Sequence, residues 1–281
     1  MKNIFRYALS VFVAIAAAGC SNDTAESPDA VYTGEYKQID VIADIDRTRV
    51  VIGDKKESDT PVTWSMDGES VALAQFVGGD YTTVYAEEAY VSDGEYFVLD
   101  DGSSAQFSFI VPEARSTRFD YLACTPSSAA YLFAPESGRI GVVIPSEQTP
   151  GATAVDASAA VAVAANLDNG KQPQSITASF RHVAAYAKMT VTNFESGDAV
   201  TGITFAAPSK TYLTGRYDYY YDDPSASKAT GGMSSYSSVN IDLERAGISA
   251  GKDFDVWFAV APCTLPEFTV TIRTENQEFE K

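Results

Sequence analysis

The chain has 281 residues and carries 38 Asp and Glu against 20 Lys and Arg, a formal charge of −18. A surface of that sign repels nucleic acid and anionic membrane, so recognition of polyphosphate backbones is excluded as a main role. With a single histidine and three cysteines, the chain also lacks the ligand set of a zinc site, and no phosphate-binding or dinucleotide glycine motif is present. No cofactor or metal is expected.

The N-terminus reads as a secretory signal. MKNIFR carries Lys2 and Arg6 and no acid, and Tyr7 to Ala18 is apolar apart from Ser10. That apolar run is well short of the roughly 20 residues a membrane-spanning helix needs. It ends in Ala17-Ala18-Gly19-Cys20, which resembles a bacterial lipobox: small residues enter the peptidase site and the thiol takes the lipid. Residues 1–19 are therefore assigned to a lipoprotein signal peptide and Cys20 to lipidation. Two or more acyl chains hold a protein to a bilayer at about 0.8 kcal/mol per buried CH2. Residues 20–33 hold few large apolar side chains and read as a flexible tether.

From Tyr32 onward the chain is rich in Val, Ile, Thr, Tyr and Phe in short runs broken by Gly, Pro, Asp and Ser, which is strand vocabulary. Ile39, Val41, Ala43 and Ile45 alternate with Asp40, Ile42, Asp44 and Asp46, predicting a strand with one buried face. VTWSM, SVALAQF, AQFSFIV, RFDYLAC, IGVVIP, SITASF, AAYAKMTVTNF, VTGITFA, VNIDL, DFDVWFAVA and EFTVTIR are the further predicted strands. Asp156 to Asn166 fits either a helix capped by Asp156 or a strand, because its valines also alternate. The polar stretch NLDNGKQPQ at 166–174 separates two β-rich halves. The expected organisation is all-β, with β-sandwich domains at 34–172 and 173–281.

Cys124 and Cys263 both lie at predicted strand ends and are expected to be buried thiols, although an oxidising envelope would permit a pair. His182 shares a face with Phe180, Ala184 and Tyr186 and is expected to be packed and hydrogen-bonded. No nucleophile elbow accompanies it. Paired-carboxylate hydrolysis has no recognisable constellation here. RYDYYYDDP at 216–224 admits two readings. Tyr217, Tyr219 and Tyr221 with Asp222 can contact a ligand such as a sugar ring, and Asp218, Asp222 and Asp223 offer oxygen ligands for calcium. Alternatively the stretch is a hairpin with packed tyrosines and wet acids, which the lack of EF-hand spacing favours.

Several stretches, taken in order, resemble the fimbrillin family, the lipoprotein subunits of type V pili. RTRVVIGDKKESDTPVTWSMDGESVAL (47–73) is similar to its N-terminal segment, with WSMDGES as a variant. RFDYLACTPSSA (118–129) matches a strand in which Cys124-Thr125 replaces an aromatic pair. IGVVIPSEQTPG (140–151), SFRHVAAYAKMTVTNF (179–194) and VWFAVAPCTLPEFTVTIRTENQEFEK (256–281) match later strands and turns. The resemblance implies two tandem transthyretin-like β-sandwiches, no enzymatic activity, and assembly with other pilus subunits by strand exchange. It further implies that an envelope protease cuts after an arginine that follows the first strand. Arg47 and Arg49 are the candidates, and a cut at either frees Ile39, Val41, Ala43 and Ile45 together with lipidated Cys20. The outer membrane and cell surface of a Gram-negative bacterium follow as the expected location, with the lipid of Cys20 as a partner until processing.

Because the return strand EFEK has barely begun at residue 281, a truncated C-terminal domain is expected. A surface glycan-binding lipoprotein beside an outer-membrane importer shares the anchor, the acidity and the β domains, and stands as the alternative function. Stalk, tip and anchor roles are not separable. A clickable fatty acid fed to cells should label the native chain and not a Cys20→Ala variant; an unlabelled native chain would contradict lipidation.

Overall fold

Alternation of apolar and polar residues carries the chain into strands almost throughout, as the computed structural model of residues 30–45, 64, 70–92, 96–99, 103–151, 154–191, 198–232, 234–246, 253–265 and 267–281 shows. The first half contributes β1 (Val31–Ile45), β2 (Ala72–Val77), β3 (Val84–Tyr85), β4 (Tyr90–Val91), β5 (Tyr96–Leu99), β6 (Ser104–Arg115), β7 (Phe119–Thr125), β8 (Ala130–Ala134), β9 (Arg139–Ile144), β10 (Glu147–Gln148), β11 (Ala162–Asn169) and β12 (Ser175–His182). The second half adds β13 (Ala185–Val191), β14 (Val200–Ala206), β15 (Thr214–Tyr220), β16 (Lys228–Ala229), β17 (Ser235–Tyr236), β18 (Ser238–Asp242), β19 (Phe254–Val260), β20 (Thr269–Thr274) and β21 (Glu278–Glu280). Among the described residues the only helical turns are short 3-10 turns, so the protein is all-β. Asp156 settles the ambiguous segment: its carboxylate accepts from Ser158 N–H and caps a single turn, Ala157–Ala159, after which β11 begins.

Eight strands form one sheet in the order β4-β2-β7-β11-β12-β1-β6-β5. It curls on itself, so that one apolar cluster unites Leu73, Tyr121 and Ala164 from one part with Val41, Phe107 and Phe180 from the other. Two glutamines stitch the seam. Gln75 donates to Pro112 O at 3.2 Å, and Gln172 donates to the same carbonyl at 2.9 Å and to Gln75 Oε1 at 3.1 Å. The opposite faces of β2, β7 and β11 pack on a six-stranded sheet containing β16-β15-β9-β8-β3 and β17, through Phe76, Leu122 and Val163 against Phe133, Val142 and Tyr217. β7 is thus the middle of three layers and is buried at every position, with Tyr121 and Ala123 on one face and Leu122 and Cys124 on the other. Its two polar residues are satisfied, Asp120 by Arg118 and Asp168 N–H and Thr125 by donating to Ser70 O. A third cluster, including Ile203, Val239 and Phe258, lies between a five-stranded sheet, β10-β18-β14-β20-β21, and the pair β13-β19.

The division expected after residue 172 falls between two strands of one sheet. β11 and β12 pair directly, Ala162 opposite His182, and Gln172 belongs to the seam just described. Hydrogen bonding also crosses elsewhere, with β9 on β15 over six residue pairs and β10 on β18. A polar Gly- and Pro-containing stretch has the same composition whether it joins hairpin strands or domains.

Gln148 is 1% exposed, and its side-chain amide acts as a one-residue strand. Its Nε2 donates to Ala259 O at 2.7 Å and its Oε1 accepts from Ala259 N–H at 2.9 Å. This clamp ties β10, and through it the five-stranded sheet, to β19. Removing it strands a buried donor and a buried acceptor, each costing about 1–3 kcal/mol. Gln148→Ala should therefore lower unfolding stability by about 3 kcal/mol in urea titration; a midpoint matching the native chain would contradict the clamp.

Candidate functional site

β1 occupies the position on which the functional reading turns. It lies parallel to β12, pairing from Asp40 with Ser175 to Ile45 with Phe180, and antiparallel to β6, pairing from Val31 with Arg115 to Asp44 with Ser104. Both edges of residues 40–44 are therefore hydrogen-bonded. Ile39, Val41, Ala43 and Ile45 enter the core, as their alternation predicts, while Val31–Tyr36 are exposed. On the other face Ser104 Oγ donates to Asp44 at 2.6 Å and Ser108 Oγ donates to Asp40 at 2.8 Å, holding the register against β6. Trp64 meets Phe107 and Phe180, on the two strands that flank β1, edge-on at ring distances of 5.1 and 5.5 Å. Cys20, Arg47 and Arg49 lie outside the described residues.

RYDYYYDDP divides by alternation into two faces. Tyr217 and Tyr219 are buried in the core between the eight- and six-stranded sheets, and so do not form an exposed aromatic platform. Tyr221 packs against the same cluster and donates to Pro135 O at 3.4 Å; burial, then the Asp222 charge, pushes its phenol up to about 12. Asp222 is exposed, its carboxylate lying against Gly138, and Asp223 caps a 3-10 turn by accepting from Ser225 N–H. Asp218 is only 3% exposed and departs from the expected wet acid. It is held on the opposite face by Arg139 Nη1 at 2.8 Å and by the Tyr131 hydroxyl, which donates to its other oxygen.

Tyr131 anchors this second face. Its ring lies against Gly141, where an added Cβ would approach the ring carbons to 2.5 Å, so a side chain at 141 would displace it. The Arg216 guanidinium stacks over the ring, 4.7 Å from its centroid. Alternation of RYDYYYDDP places Arg216 with Asp218, but the partners Tyr131 and Arg139 come from β8 and β9, distant in sequence, and no local pattern announces them.

The other singled-out residues play structural parts. His182 Nδ1 is 2.8 Å from the Tyr186 hydroxyl, as expected of a packed, hydrogen-bonded histidine. Cys124 is buried and free, and burial pushes its thiol well above the usual range. Cys263 is free too, but exposed, because it follows β19 in a Pro-flanked stretch outside the sheets and not in a strand end.

No protein-family model matches the chain, and no curated protein matches it. Solved structures do resemble it. One, described as a candidate cell adhesion protein from Bacteroides ovatus ATCC 8483, aligns with a TM-score of 0.47 and 16% identity over 88% of this chain and 86% of that one. The tip fimbrial protein Mfa3 from Porphyromonas gingivalis, with a C-terminal truncation, aligns at 0.35 and 10% identity over 88% and 81%. A candidate adhesin from Bacteroides ovatus ATCC 8483 aligns at 0.35 and 10% identity over 94% and 86%. The chain is similar to fimbrial and adhesin proteins.

Burial, followed by the hydrogen bond to the Asp218 carboxylate and its charge, pushes the Tyr131 phenol up to about 12. An unfolded tyrosine titrates near 10. From about pH 10 to 12 the unfolded chain therefore binds fewer protons than the folded one, and stability falls as pH rises. Tyr90 and Tyr221, also raised to about 12, share that slope. Tyr131→Phe should make the loss shallower in urea midpoints across that window, and should cost about 2 kcal/mol at neutral pH through the lost bond to a charged acceptor. An unchanged alkaline slope would contradict the assignment.

Proposed function

We propose that the protein is a structural or accessory subunit of a cell-surface pilus, exported as a lipoprotein through Cys20 and supporting adhesion. Its assembly proceeds by exchange of β1. The observation that carries this reading is the place of β1: an interior strand of the sheet, apolar on one face, whose far end leads directly into the segment containing Arg47 and Arg49. The sequence resemblance to type V pilus subunits supports the same reading.

A cut after Arg47 or Arg49 severs β1 from the rest of the body and leaves it held by non-covalent bonds alone. Its departure opens a slot between β6 and β12 with unpaired backbone groups on both sides. The slot is lined by apolar side chains at alternate positions, so it selects a strand with matching alternation. Backbone hydrogen bonds supply affinity and the side-chain pockets supply register. A strand from a neighbouring subunit meets both requirements. The lipid on Cys20 then leaves with β1, and its role belongs to transport to the outer membrane. An envelope protease is the required partner. The aromatic-platform basis of the glycan-binding alternative is not favoured, since Tyr217 and Tyr219 are buried.

Mass spectrometry of filaments isolated from the cell envelope tests the reading. Subunits should begin at residue 48 or 50. The double variant Arg47→Ala, Arg49→Ala should keep its acylated N-terminus and yield no filaments. Filaments built from chains still beginning at the acylated cysteine would overturn it.

A further inference from the structure

A cavity of about 320 Å3 lies on the outer face of the six-stranded sheet, away from β1. Its floor is Tyr131, Arg139, Arg216 and Asp218, from β8, β9 and β15. The rim comprises Thr230, Gly231, Gly232, Ser234 and Ser235, and Leu132 is the one aliphatic residue in the lining.

Two guanidinium groups against one carboxylate leave this floor positive, in a chain whose charge is −18. Asp218 is already engaged by Arg139 and Tyr131. Arg216 makes no ion pair among the described residues, and its guanidinium is held by the Tyr131 ring. Arg139 gives Nη1 to Asp218, so the pair is locked as part of the floor. The exposed Arg216 guanidinium, without an ion-pair partner among the described residues, is the cation this lining offers to a ligand, and a planar fork of donors suits an acceptor-rich, anionic group.

The rim is pre-shaped. Thr230 N–H donates to Arg216 O at 2.9 Å and Ser235 N–H to Gly232 O at 3.2 Å. Gly215 has φ +98°, and a Cβ there would lie 2.0 Å from Ser234 O, so only glycine lets the rim strand close onto β15. Thr230 Oγ1 donates to Arg216 O and Ser235 Oγ to Thr230 O, so both oxygens are oriented with lone pairs to accept from a ligand hydroxyl. With Ser234 and the exposed glycine backbone they suit a polyol.

We propose that this cavity binds a carboxylate-bearing sugar, a uronic acid residue. The stacked Arg216 fork receives the carboxylate in bidentate fashion, for which a planar pre-oriented guanidinium is suited. The rim hydroxyls pair with ring hydroxyls. The volume sits at the small end of ligand sites, which run from about 300 to 1,000 Å3, and so takes about one ring. Long-range repulsion by the acidic surface disfavours polyanions but weighs little on a ligand with a single charge. The site is separate from the slot of β1, and its test needs no filament, so it stands or falls apart from the strand-exchange reading.

Isothermal titration calorimetry on the full chain in detergent tests it, with D-glucuronate, D-glucose, acetate and inorganic phosphate as probes. Glucuronate should bind saturably, at least tenfold more tightly than each of the other three, and more weakly as salt rises. Arg216→Ala should weaken glucuronate at least tenfold, and Arg216→Lys should restore only part of the loss. Circular dichroism melting checks that each variant is folded; should Arg216→Ala unfold, Arg216→Lys and Ser234→Ala carry the test, each expected to weaken binding. No saturable glucuronate binding, equal binding of glucose, or equal binding of acetate or phosphate would overturn the proposal. So would full glucuronate affinity in the folded Arg216 and Ser234 variants.

Discussion

The double pairing of β1 is the constraint on which the rest of the structure depends. One strand closes a curled sheet by bonding β12 on one edge and β6 on the other, and it fills the core with Ile39, Val41, Ala43 and Ile45. Full burial of each large aliphatic chain contributes about 2 kcal/mol. Losing the strand therefore exposes several such contributions at once and unpairs two neighbouring strands. The slot it would leave could not persist empty at low cost, so β1 is not dispensable to the fold.

The remaining layers give that slot a rigid frame. β7, buried on both faces, contributes to both the core inside the curled sheet and the core between it and the six-stranded sheet behind it, so the framework around β1 does not depend on β1 alone. The Gln148 clamp and the β9-β15 ladder bind the later strands to the earlier ones. The positive cavity lies on the outermost face of that six-stranded sheet, so the proposed ligand site is separate from the proposed exchange strand. Exchange of a strand in one sheet leaves the floor formed by Tyr131, Arg139 and Asp218 intact.

Much of this was legible in the residues. Alternation at 39–45 predicted both the strand and its buried face, and nearly all the named runs that fall in described residues are strands. What local pattern does not carry is which strands neighbour one another. RFDYLAC reads as a buried strand, yet its role as a middle layer needs the distant β9-β15 sheet. NLDNGKQPQ reads as a link between domains, but Gln172 bonds Gln75 and Pro112, residues far away in sequence. Tyr217 and Tyr219 share a face by period two, and nothing local says whether that face is covered. The Gln of IGVVIPSEQTPG was visible as part of a resembling motif, but its reason, an amide filling a strand position beside Ala259, appears only in three dimensions.

Strand replacement itself is the most direct test. A chain carrying a site-specific protease sequence at residues 46–49 would be nicked and mixed with excess isotope-labelled peptide of residues 31–45. Hydrogen–deuterium exchange and native mass spectrometry would follow strand occupancy. The account predicts that labelled peptide enters only the nicked chain, with amides of β6 and β12 remaining protected. Failure of the nicked chain to take up the peptide, with the original β1 retained under conditions that keep the body folded, would contradict it.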